Sequence, residues 1–394
     1  MGMRLKDWGD REKMEAEWNA RTMARYQRQM VLPQVGIEGQ RRLLKSRVLI
    51  IGAGALGSAA ATYLVAAGVG NVGLVDGDTV ELSNLHRQIL HDDADVGRLK
   101  TRSAAERLRA MNPEVNLIEH AEFLTRHNVM AIFGSYDLVV NGSDNFPTRY
   151  LINDAAVLSH IPLVDAAILR FEGQLSVFRP GFGCYRCLFP APPPPGVVPD
   201  CAEAGIFGAV AGVLGSMEAV EALKILLDLA DPDSHMFMIY DALGATWHRM
   251  PMHRDPDCAV CGDHPVIREP IDYERFCQSS GPSSVGSVRG PVVSEFALEV
   301  SEVKALMDNP AVTVVDVREG NEFHSGHLPR ARHYPLEDLD RLLVDGITDT
   351  VLVVCAVGVR SAYGAKYLRS HGVTAFTLRG GMAAWRDAYP DDNT

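Results

Sequence analysis

The chain has 394 residues, which suits two or three domains and exceeds one ordinary core. Hydrophobic residues make up 47% and charged residues 22%, a composition typical of globular proteins, and no apolar run is long enough to span a bilayer. The formal net charge of -12 argues against nucleic-acid binding, because phosphate contacts need a basic surface.

The first residues, 1–24, are charged and weakly amphipathic, which predicts a helical arm and not a signal peptide. The chain has seven cysteines, which indicate metal ligands and reactive thiols, since disulfide frameworks belong to secreted proteins. We therefore expect a cytoplasmic protein with no membrane partner.

A βαβ unit follows the arm. Val48–Ile51 is a short apolar strand, a glycine turn comes next, a helix is predicted over Ala59–Ala67 and a second strand over Val72–Val75. This order predicts a parallel sheet.

Later segments extend the sheet. Four consecutive prolines make Ala191–Pro199 an extended loop, and the apolar pattern of Gly208–Leu229 predicts a long helix. Leu175–Phe178 is expected to begin an antiparallel portion. The other predicted strands are Asp137–Asn141, Ile161–Asp165 and Met236–Tyr240.

Residues 278–291 have no hydrophobic periodicity and predict a flexible linker before a second α/β pattern. In that pattern a helix is predicted over Ser361–Ser370, and the strands are Val312–Val317, Val351–Val354 and Ala375–Leu378. The predicted organisation is an arm (1–24), a first domain (25–267), a linker (268–291) and a second domain (292–394).

A glycine motif, Gly52-Ala53-Gly54-Ala55-Leu56-Gly57, lies between the first strand and its helix. Such a turn lets the backbone approach phosphate oxygens, and the helix N-terminus supplies N–H donors. Asp76 ends the next strand, 19 residues after Gly57, where a carboxylate can bind a ribose hydroxyl. Alone, this pattern is most often that of a dinucleotide oxidoreductase.

Charged residues further along favour a triphosphate instead. Arg87 and Lys100 follow the Asp76 strand, and Asp144 follows another buried strand. Cations offset phosphate charge and a carboxylate can hold Mg²⁺, whereas hydride transfer needs neither.

With these residues the chain resembles the E1-like activating enzymes of the MoeB/ThiF type over roughly residues 20–265. The segments that carry the resemblance are 25–29, 52–57, 67–78, 83–88, 95–100, 142–154 and 171–174. The family usually has glycine where Ala55 stands and often glutamine where His86 stands, and we expect a small effect on nucleotide affinity.

The resemblance implies an ATP site in which Asp76 binds ribose and Asp144 is the catalytic, metal-linked carboxylate. Arg28 would be an arginine finger from the other subunit of a homodimer. The residues that the resemblance places around the nucleotide are Gly52, Gly54, Ala55, Gly57, Asp76, Asp78, Ser83, Asn84, Arg87, Gln88, Lys100, Asp144 and Asn145. From the residues alone, Asp144 could instead cap a helix, and Lys100 and Arg28 could be solvated surface residues.

Two CxxC pairs, Cys184–Cys187 and Cys258–Cys261, have the spacing of a zinc site. Four thiolates complete a tetrahedral shell and leave no open position, so a structural Zn²⁺ is predicted. The alternative is a redox CxxC, but neither pair lies between a strand and a helix in the pattern of a thioredoxin-like fold.

Cys355 begins a short loop between a strand and a helix, with Arg360 at its end. Backbone N–H groups, the helix dipole and Arg360 are expected to lower the pKa of the thiol and to stabilise a thiolate or persulfide. Four residues separate Cys355 from Arg360, and protein tyrosine phosphatases need five, so the loop suits a sulfur atom.

Residues 290–394 resemble a rhodanese domain through the segments 315–319, 326–329, 355–361 and 378–385. The resemblance implies that Cys355 carries a persulfide, with Asp316 and Arg318 supporting the loop. An inactive rhodanese fold used for docking is the alternative.

Cys201 follows the proline loop, and Cys277 lies at the linker edge. A small buried cysteine is the common fate of this residue type. Family members with a fused rhodanese domain have a reactive cysteine at the Cys201 motif, which implies either a thioester or the resolution of an acyl disulfide. Cys277 receives no role.

The predicted fold class is α/β, with a Rossmann-like E1 adenylation domain of mixed sheet and a small α/β rhodanese domain. The whole chain resembles fused MoeB–rhodanese enzymes of the MoeZ and molybdenum cofactor synthesis protein 3 type. That resemblance implies ATP-dependent adenylation of the C-terminal Gly-Gly carboxylate of a ubiquitin-like sulfur carrier of the MoaD/ThiS type, then thiocarboxylate formation. A cysteine desulfurase or thiosulfate would supply sulfur. Alternatives are an oxidoreductase, a carrier scaffold, and adenylation without sulfur transfer.

Overall fold

A computed structural model describes residues 20–192, 205–230, 236–278, 296–318, 320–346, 350–356 and 358–389. The chain divides into two compact units, one within Met1–Leu188 and Pro192–Ser284, the other within Phe189–Ala191 and Val285–Thr394. Most of the arm, most of the proline loop with Cys201, and the linker from residue 279 lie outside the described residues.

The first unit is built on a mixed sheet of eight described strands in the order β3-β2-β1-β4-β5-β6-β7-β8. Strands β1 to β5 pair in parallel, and β6, β7 and β8 are added antiparallel to them. The strands are β1 (Arg47–Ile51), β2 (Asn71–Val75), β3 (Asn116–His120), β4 (Leu138–Asn141), β5 (Leu163–Leu169), β6 (Glu172–Phe178), β7 (Met236–Asp241) and β8 (Thr246–Pro251).

Helices cover this sheet because their apolar residues pack on the buried strands. The helices are α1 (Ala20–Met30), α2 (Gly36–Lys45), α3 (Ala55–Ala67), α4 (Lys100–Met111), α5 (Val129–Phe133), α6 (Phe146–Leu158), α7 (Tyr185–Leu188), α8 (Gly208–Leu226) and α9 (Tyr273–Gln278). Helices α3 and α8 are apolar on nearly all sides and contribute Leu64 and Leu214 to the main hydrophobic cluster.

Glycine allows the crossover from β1 through α3 to β2. Gly68 ends α3 in the left-handed conformation at φ 85° and donates its backbone N–H to the last turn of the helix. A Cβ at Gly68 would lie 2.5 Å from the Tyr26 ring, so the position also needs the absence of a side chain.

The second unit holds five described parallel strands in the order β11-β10-β12-β13-β9. The strands are β9 (Ala297–Leu298), β10 (Thr313–Asp316), β11 (Arg332–His333), β12 (Val351–Val354) and β13 (Ala375–Leu378). The helices are α10 (Val300–Met307), α11 (Gly320–His324), α12 (Leu339–Val344), α13 (Val359–Ser370) and α14 (Gly381–Ala388). Its hydrophobic core includes Trp385, Val314 and Leu352.

The structure moves several predicted boundaries, among them those of β5, α8 and α13, and two of the changes bear on the sites. The helix predicted to begin at Ala59 begins at Ala55, directly after the glycine turn. Residues 268–278, predicted as linker, include α9, because the Tyr273 hydroxyl donates to Asp154 at 2.9 Å and holds the helix against α6. None of the described helices combines the length and apolar character that a bilayer crossing requires.

Candidate nucleotide and sulfur-transfer sites

The glycine turn joins β1 to α3 at the carboxyl edge of the parallel strands. Gly52 has φ 88° and donates its N–H to Val75 O at 2.8 Å. A Cβ at Gly52 would lie 2.9 Å from Gly142 O, and one at Gly57 would lie 1.8 Å from Gly52 O. Both positions therefore require glycine. Because the turn leads directly into α3, the helix N-terminus can receive a phosphate group.

Asp76 follows β2 and links two backbone turns. Its carboxylate accepts the Ala53 N–H at 2.9 Å and the Asp78 N–H at 2.8 Å. Burial raises the pKa of Asp76, and the charge of Lys100 opposes that rise. A carboxylate held in this way beside the glycine turn can bind a ribose hydroxyl.

Lys100 is the first residue of α4, and its Nζ bonds to Asp78 at 2.9 Å. The lysine side chain is 9% exposed and that of Asp78 is 56% exposed. The Lys100 ammonium is already held in place by Asp78. It can therefore bind phosphate oxygens without a rearrangement of its buried side chain.

The segment 83–88 presents polar groups to the same turn. Gln88 is buried, its Nε2 lies 3.7 Å from where a Gly54 Cβ would stand, and its Oε1 has no hydrogen-bond partner among the described residues. Asn84 is also buried and accepts the Glu81 N–H, whereas Arg87 donates to Ser83 O at 2.9 Å. The unpaired Gln88 oxygen indicates a hydrogen-bond donor on a ligand.

His91 was not predicted from the sequence, yet it supports the glycine turn. Its Nε2 lies 3.0 Å from Ala53 O and its Nδ1 lies 2.7 Å from the Ser103 hydroxyl. Because a carbonyl only accepts, Nε2 carries the proton and Nδ1 accepts from Ser103. Burial lowers the pKa of His91, which favours this neutral form. A lone histidine in a loop gives no sequence signal for such a role.

Asp144 and Asn145 follow β4, the strand that pairs with β1. Asn145 caps α6, because its side chain accepts the Thr148 N–H at 2.9 Å. The cap considered for Asp144 thus belongs to its neighbour. Asp144 is exposed and makes no hydrogen bond or ion pair with any residue in the described part of the chain. Its carboxylate is available to a cation.

Arg28 lies exposed on α1 and makes no described contact with the groups around the glycine turn. Within one subunit the direct contacts join the glycine turn, Asp76, Asp78 and Lys100. A role for Arg28 across a subunit interface stays a prediction.

The four cysteines of the CxxC pairs meet in one cluster. Their sulfur atoms all lie within 4.8 Å of one another, with Cys184 and Cys258 at 3.6 Å and Cys187 and Cys261 at 3.3 Å. Zn–S bonds of about 2.3 Å in a tetrahedron place sulfurs roughly 3.8 Å apart. The donor set therefore fits a tetrahedral metal ion. Burial raises the pKa of the Cys184 thiol, so a thiolate there needs a cation beside it.

Cys355 lies at the carboxyl end of β12 in the second unit and is 1% exposed. The Gly358 N–H donates to its sulfur at 3.1 Å, and the Ser361 hydroxyl lies 3.4 Å away. Gly381 contacts the same loop, because a Cβ there would lie 2.4 Å from Cys355 O. The sulfur therefore accepts one backbone hydrogen bond from the loop, and the thiol donates to the Ser361 hydroxyl.

The positive charge of Arg360 is not left unpaired near the sulfur. Both of its terminal nitrogens bond to Glu322 at 2.7 Å, and its side chain is 3% exposed. Asp316 and Arg318 form a second buried ion pair, and Arg318 also donates to Gly326 O at 2.8 Å. Both arginines support the loop and the segments beside it.

Glu218 is a buried carboxyl group on α8 that the sequence did not single out. It is 0% exposed. Among the residues that the structure describes, neither of its carboxyl oxygens has a partner at the distance and angle of a hydrogen bond. Burial raises its pKa well above the usual value, Asp165 adds to the rise, and Arg149 opposes it. Burial therefore favours the protonated form of Glu218 in the folded protein.

We expect Glu218→Gln to stabilise the first unit above pH 5. The unfolded pKa of a glutamate is about 4.3, so folding the native chain requires proton uptake between that pH and the raised folded pKa, and its stability falls across this range. The variant loses that dependence, with a melting temperature about 2–4 °C higher at pH 8 and no gain at pH 4. Thermal unfolding followed by circular dichroism at both pH values checks this, and an equal change at both would contradict it.

Comparison with known families identifies both halves of the chain. Residues 26–260 match the ThiF family, and residues 299–388 match the rhodanese-like domain. The matched ranges contain the glycine turn with the first CxxC pair, and the Cys355 loop.

Relatives match over most of their length. A sulfur carrier protein adenylyltransferase of Thermus thermophilus is 53% identical over 66% of this chain and 98% of its own. An adenylyltransferase and sulfurtransferase MOCS3 of Sus scrofa is 42% identical over 92% of this chain and 85% of its own. Among solved structures, MccB of E. coli with ATP is 25% identical, with a TM-score of 0.50 over 56% of this chain and 68% of that chain.

Proposed function

The chain belongs to the ThiF family and carries a C-terminal rhodanese-like domain, and from this premise we propose that it adenylates the C-terminal Gly-Gly carboxylate of a ubiquitin-like sulfur carrier and then transfers sulfur to it. The adenylyltransferase and sulfurtransferase activities named for its relatives support both steps. The observation that carries the proposal is the glycine turn, whose contacts with Asp76 and, through Asp78, with Lys100 support a nucleotide site; the exposed Asp144 follows β4, the strand paired with β1.

Adenylation is an in-line exchange at the α-phosphorus of ATP. An oxygen of the carrier carboxylate forms the new P–O bond, the bond to the β-phosphate breaks, and pyrophosphate leaves. The acyl adenylate then holds an activated carbonyl carbon. Lys100 and Arg87 offset the negative charge that builds on the phosphates, and the amides at the start of α3 contribute in the same sense.

Mg²⁺ and a second subunit would complete the site. Asp144 would hold the metal ion, which neutralises phosphate charge when bound. Arg28, exposed on α1, would reach the phosphates of the partner subunit in a homodimer.

Sulfur transfer follows at the activated carbonyl. The terminal sulfur of a Cys355 persulfide attacks that carbon, AMP leaves, and an acyl disulfide joins the carrier to Cys355. If the Cys201 thiolate attacks the Cys355 sulfur, the thiocarboxylate leaves and a Cys201–Cys355 disulfide forms. Alternatively, Cys201 first displaces AMP and holds the carrier as a thioester. Intact mass under non-reducing conditions separates the two orders, and Cys201 lies outside the described residues.

Carrier-dependent ATP–pyrophosphate exchange is the experiment that tests the proposal. Exchange that needs a MoaD/ThiS-type carrier ending in Gly-Gly supports adenylation, and binding of NADH in place of ATP would support an oxidoreductase. Thiosulfate:cyanide sulfurtransfer separates an active rhodanese-like domain from a docking module.

Zinc is the metal that four clustered thiolates favour, and three of these cysteines are buried while Cys261 is half-buried. We expect about one zinc per chain in freshly purified protein and none after Cys184→Ser/Cys187→Ser. The cluster links Cys184 to Cys258 across 74 residues, so the variant should lose several kcal/mol of stability in its first unit. Metal analysis by mass spectrometry and thermal unfolding measure both effects, with Cys277→Ser as the control that keeps its zinc. Absence of zinc from the native chain would refute this.

The setting of the reaction follows from its chemistry. A cytoplasmic location suits a protein that depends on reduced thiols and ATP. The persulfide sulfur would come from a cysteine desulfurase or from thiosulfate.

A further inference from the structure

Three buried polar residues form a network below the loop that carries Asp144. Asn141 ends β4, Asp165 lies directly opposite it on β5, and Arg149 comes from α6. They are 0%, 2% and 8% exposed, respectively. Since burial of charged groups is costly, their pairing has to be nearly complete.

Each hydrogen bond of this network has only one possible donor and one possible acceptor. Asp165 Oδ1 accepts from Asn141 Nδ2 at 2.7 Å, and Arg149 Nε lies 3.1 Å from both carboxylate oxygens. A carboxylate only accepts, so Asn141 must present its nitrogen to Asp165. Its Oδ1 is then left to accept from the Ser143 N–H at 3.0 Å and the Ser143 hydroxyl at 2.7 Å.

Ser143 immediately precedes Asp144. The residue before Ser143, Gly142, is held from the side of β1. Gly142 donates its N–H to Ile51 O at 2.7 Å and packs against Gly52 of the glycine turn. The loop is therefore held to β1 through Gly142 and to β5 through Ser143 and Asn141.

We propose that Asp165 is a positioning residue for adenylation, which fixes the Asn141 amide so that the Ser143–Asp144 loop stays in one place relative to the glycine turn. The inference rests on the adenylation function proposed above. Asp165 touches neither nucleotide nor carrier and acts only through Asn141. Its effect should therefore appear in the rate of adenylyl transfer and much less in ATP affinity.

Other groups hold the pair in place. The Tyr185 ring lies 4.7 Å from the Arg149 guanidinium, and Glu218 on α8 interacts electrostatically with both Asp165 and Arg149. An apolar pair could fill the same volume at similar stability, but it could not orient an amide. Beyond packing, Asp165 thus supplies acceptors that fix which way the Asn141 amide faces.

An exchange of the two side chains tests this direction. In Asp165→Asn the new amide can offer either oxygen or nitrogen, so the loop loses its fixed acceptor. In Asn141→Asp two carboxylates face each other in a buried site. We expect each single variant to lower the kcat of carrier-dependent ATP–pyrophosphate exchange by on the order of 10–100-fold, with KM for ATP within about threefold.

The double variant Asn141→Asp/Asp165→Asn keeps the net charge, reverses the hydrogen bond between the two positions and restores a fixed acceptor for Ser143. Asp at position 141 accepts from Ser143, and Asn at position 165 donates to it. We expect its kcat to recover to within about fivefold of the native value, far above the product of the single effects. Asp137→Asn, at the opposite end of the same strand, is the control and should leave exchange unchanged.

Melting temperatures accompany each rate, so that a misfolded variant is recognised. If Asn141→Asp fails to fold, Ser143→Ala replaces it: losing one donor to Asn141 should lower kcat about threefold with an unchanged KM for ATP. A double variant no faster than the product of the singles would overturn the inference, as would loss confined to KM. Exchange that is absent from the native chain with ATP, Mg²⁺ and a Gly-Gly carrier would instead reject the proposed function.

Discussion

Asp144→Ala is expected to lower carrier-dependent ATP–pyrophosphate exchange by on the order of 10³-fold, which corresponds to about 4 kcal/mol of transition-state stabilisation. Asp144 follows β4 at the edge where the glycine turn lies, and it is exposed. Within the described part of the chain it has no hydrogen bond or ion pair, and Asn145 caps the helix that follows. A carboxylate with no described structural bond can be removed with little effect on folding.

The control for this variant lies at the other end of β4. Asp137 precedes β4 at the opposite edge, and its carboxylate pairs with Arg47 where both side chains are well exposed. Asp137→Asn should cost at most about 1 kcal/mol of stability and leave exchange unchanged. Exchange measured over a range of ATP and Mg²⁺ concentrations separates a lost rate from weaker binding. If Asp144→Ala kept more than about a tenth of the native rate at saturating Mg²⁺, Asp144 would not be the metal-linked carboxylate.

Motifs that are local in sequence could be predicted well. The glycine turn and the Cys355 loop each lie within one strand–turn–helix segment, and Asp76 directly follows the next strand along the chain, so local spacing determines which groups share an edge. The two CxxC pairs were also placed correctly in one cluster, because four thiols at this spacing have few other uses in a reduced protein.

Groups that meet only through strand register could not be predicted. Asn141 and Asp165 were recognised as the ends of two predicted strands, but their contact depends on the pairing of β4 with β5. The clue available was a carboxylate ending an otherwise apolar strand, which requires a buried partner. No spacing rule identifies Arg149 as that partner.

Long-range contacts also set the domain boundary and the surroundings of Arg360. Tyr273 bonds to Asp154, 119 residues earlier, and this contact extends the first domain beyond a segment of loop-like composition. Arg360 bonds to Glu322, 38 residues earlier. Glu322 thereby balances the positive charge that was expected from the sequence to act on the thiol. In both cases long-range side-chain contacts decided the outcome, and local periodicity carries no information about such contacts.

The contribution of Cys355 can be separated from adenylation because the two activities belong to different compact units. Its sulfur accepts the Gly358 N–H at 3.1 Å, at the start of α13 where Gly358 adopts φ 91°. A serine hydroxyl fits the same space and keeps that bond, but it forms neither a persulfide nor a thiolate of comparable nucleophilicity.

We therefore expect Cys355→Ser to lower thiosulfate:cyanide sulfurtransfer and thiocarboxylate formation by on the order of 10³-fold or more, while ATP–pyrophosphate exchange stays within about twofold of the native rate. Cys277→Ser is the matched control, since burial raises the pKa of Cys277 to about 11 and keeps it a thiol at neutral pH. That variant should retain both activities. Cyanide-dependent thiocyanate release and the intact mass of the carrier measure the two sulfur steps. Loss of exchange in Cys355→Ser would show that adenylation depends on the Cys355 loop, and the separation of the two steps would then be wrong.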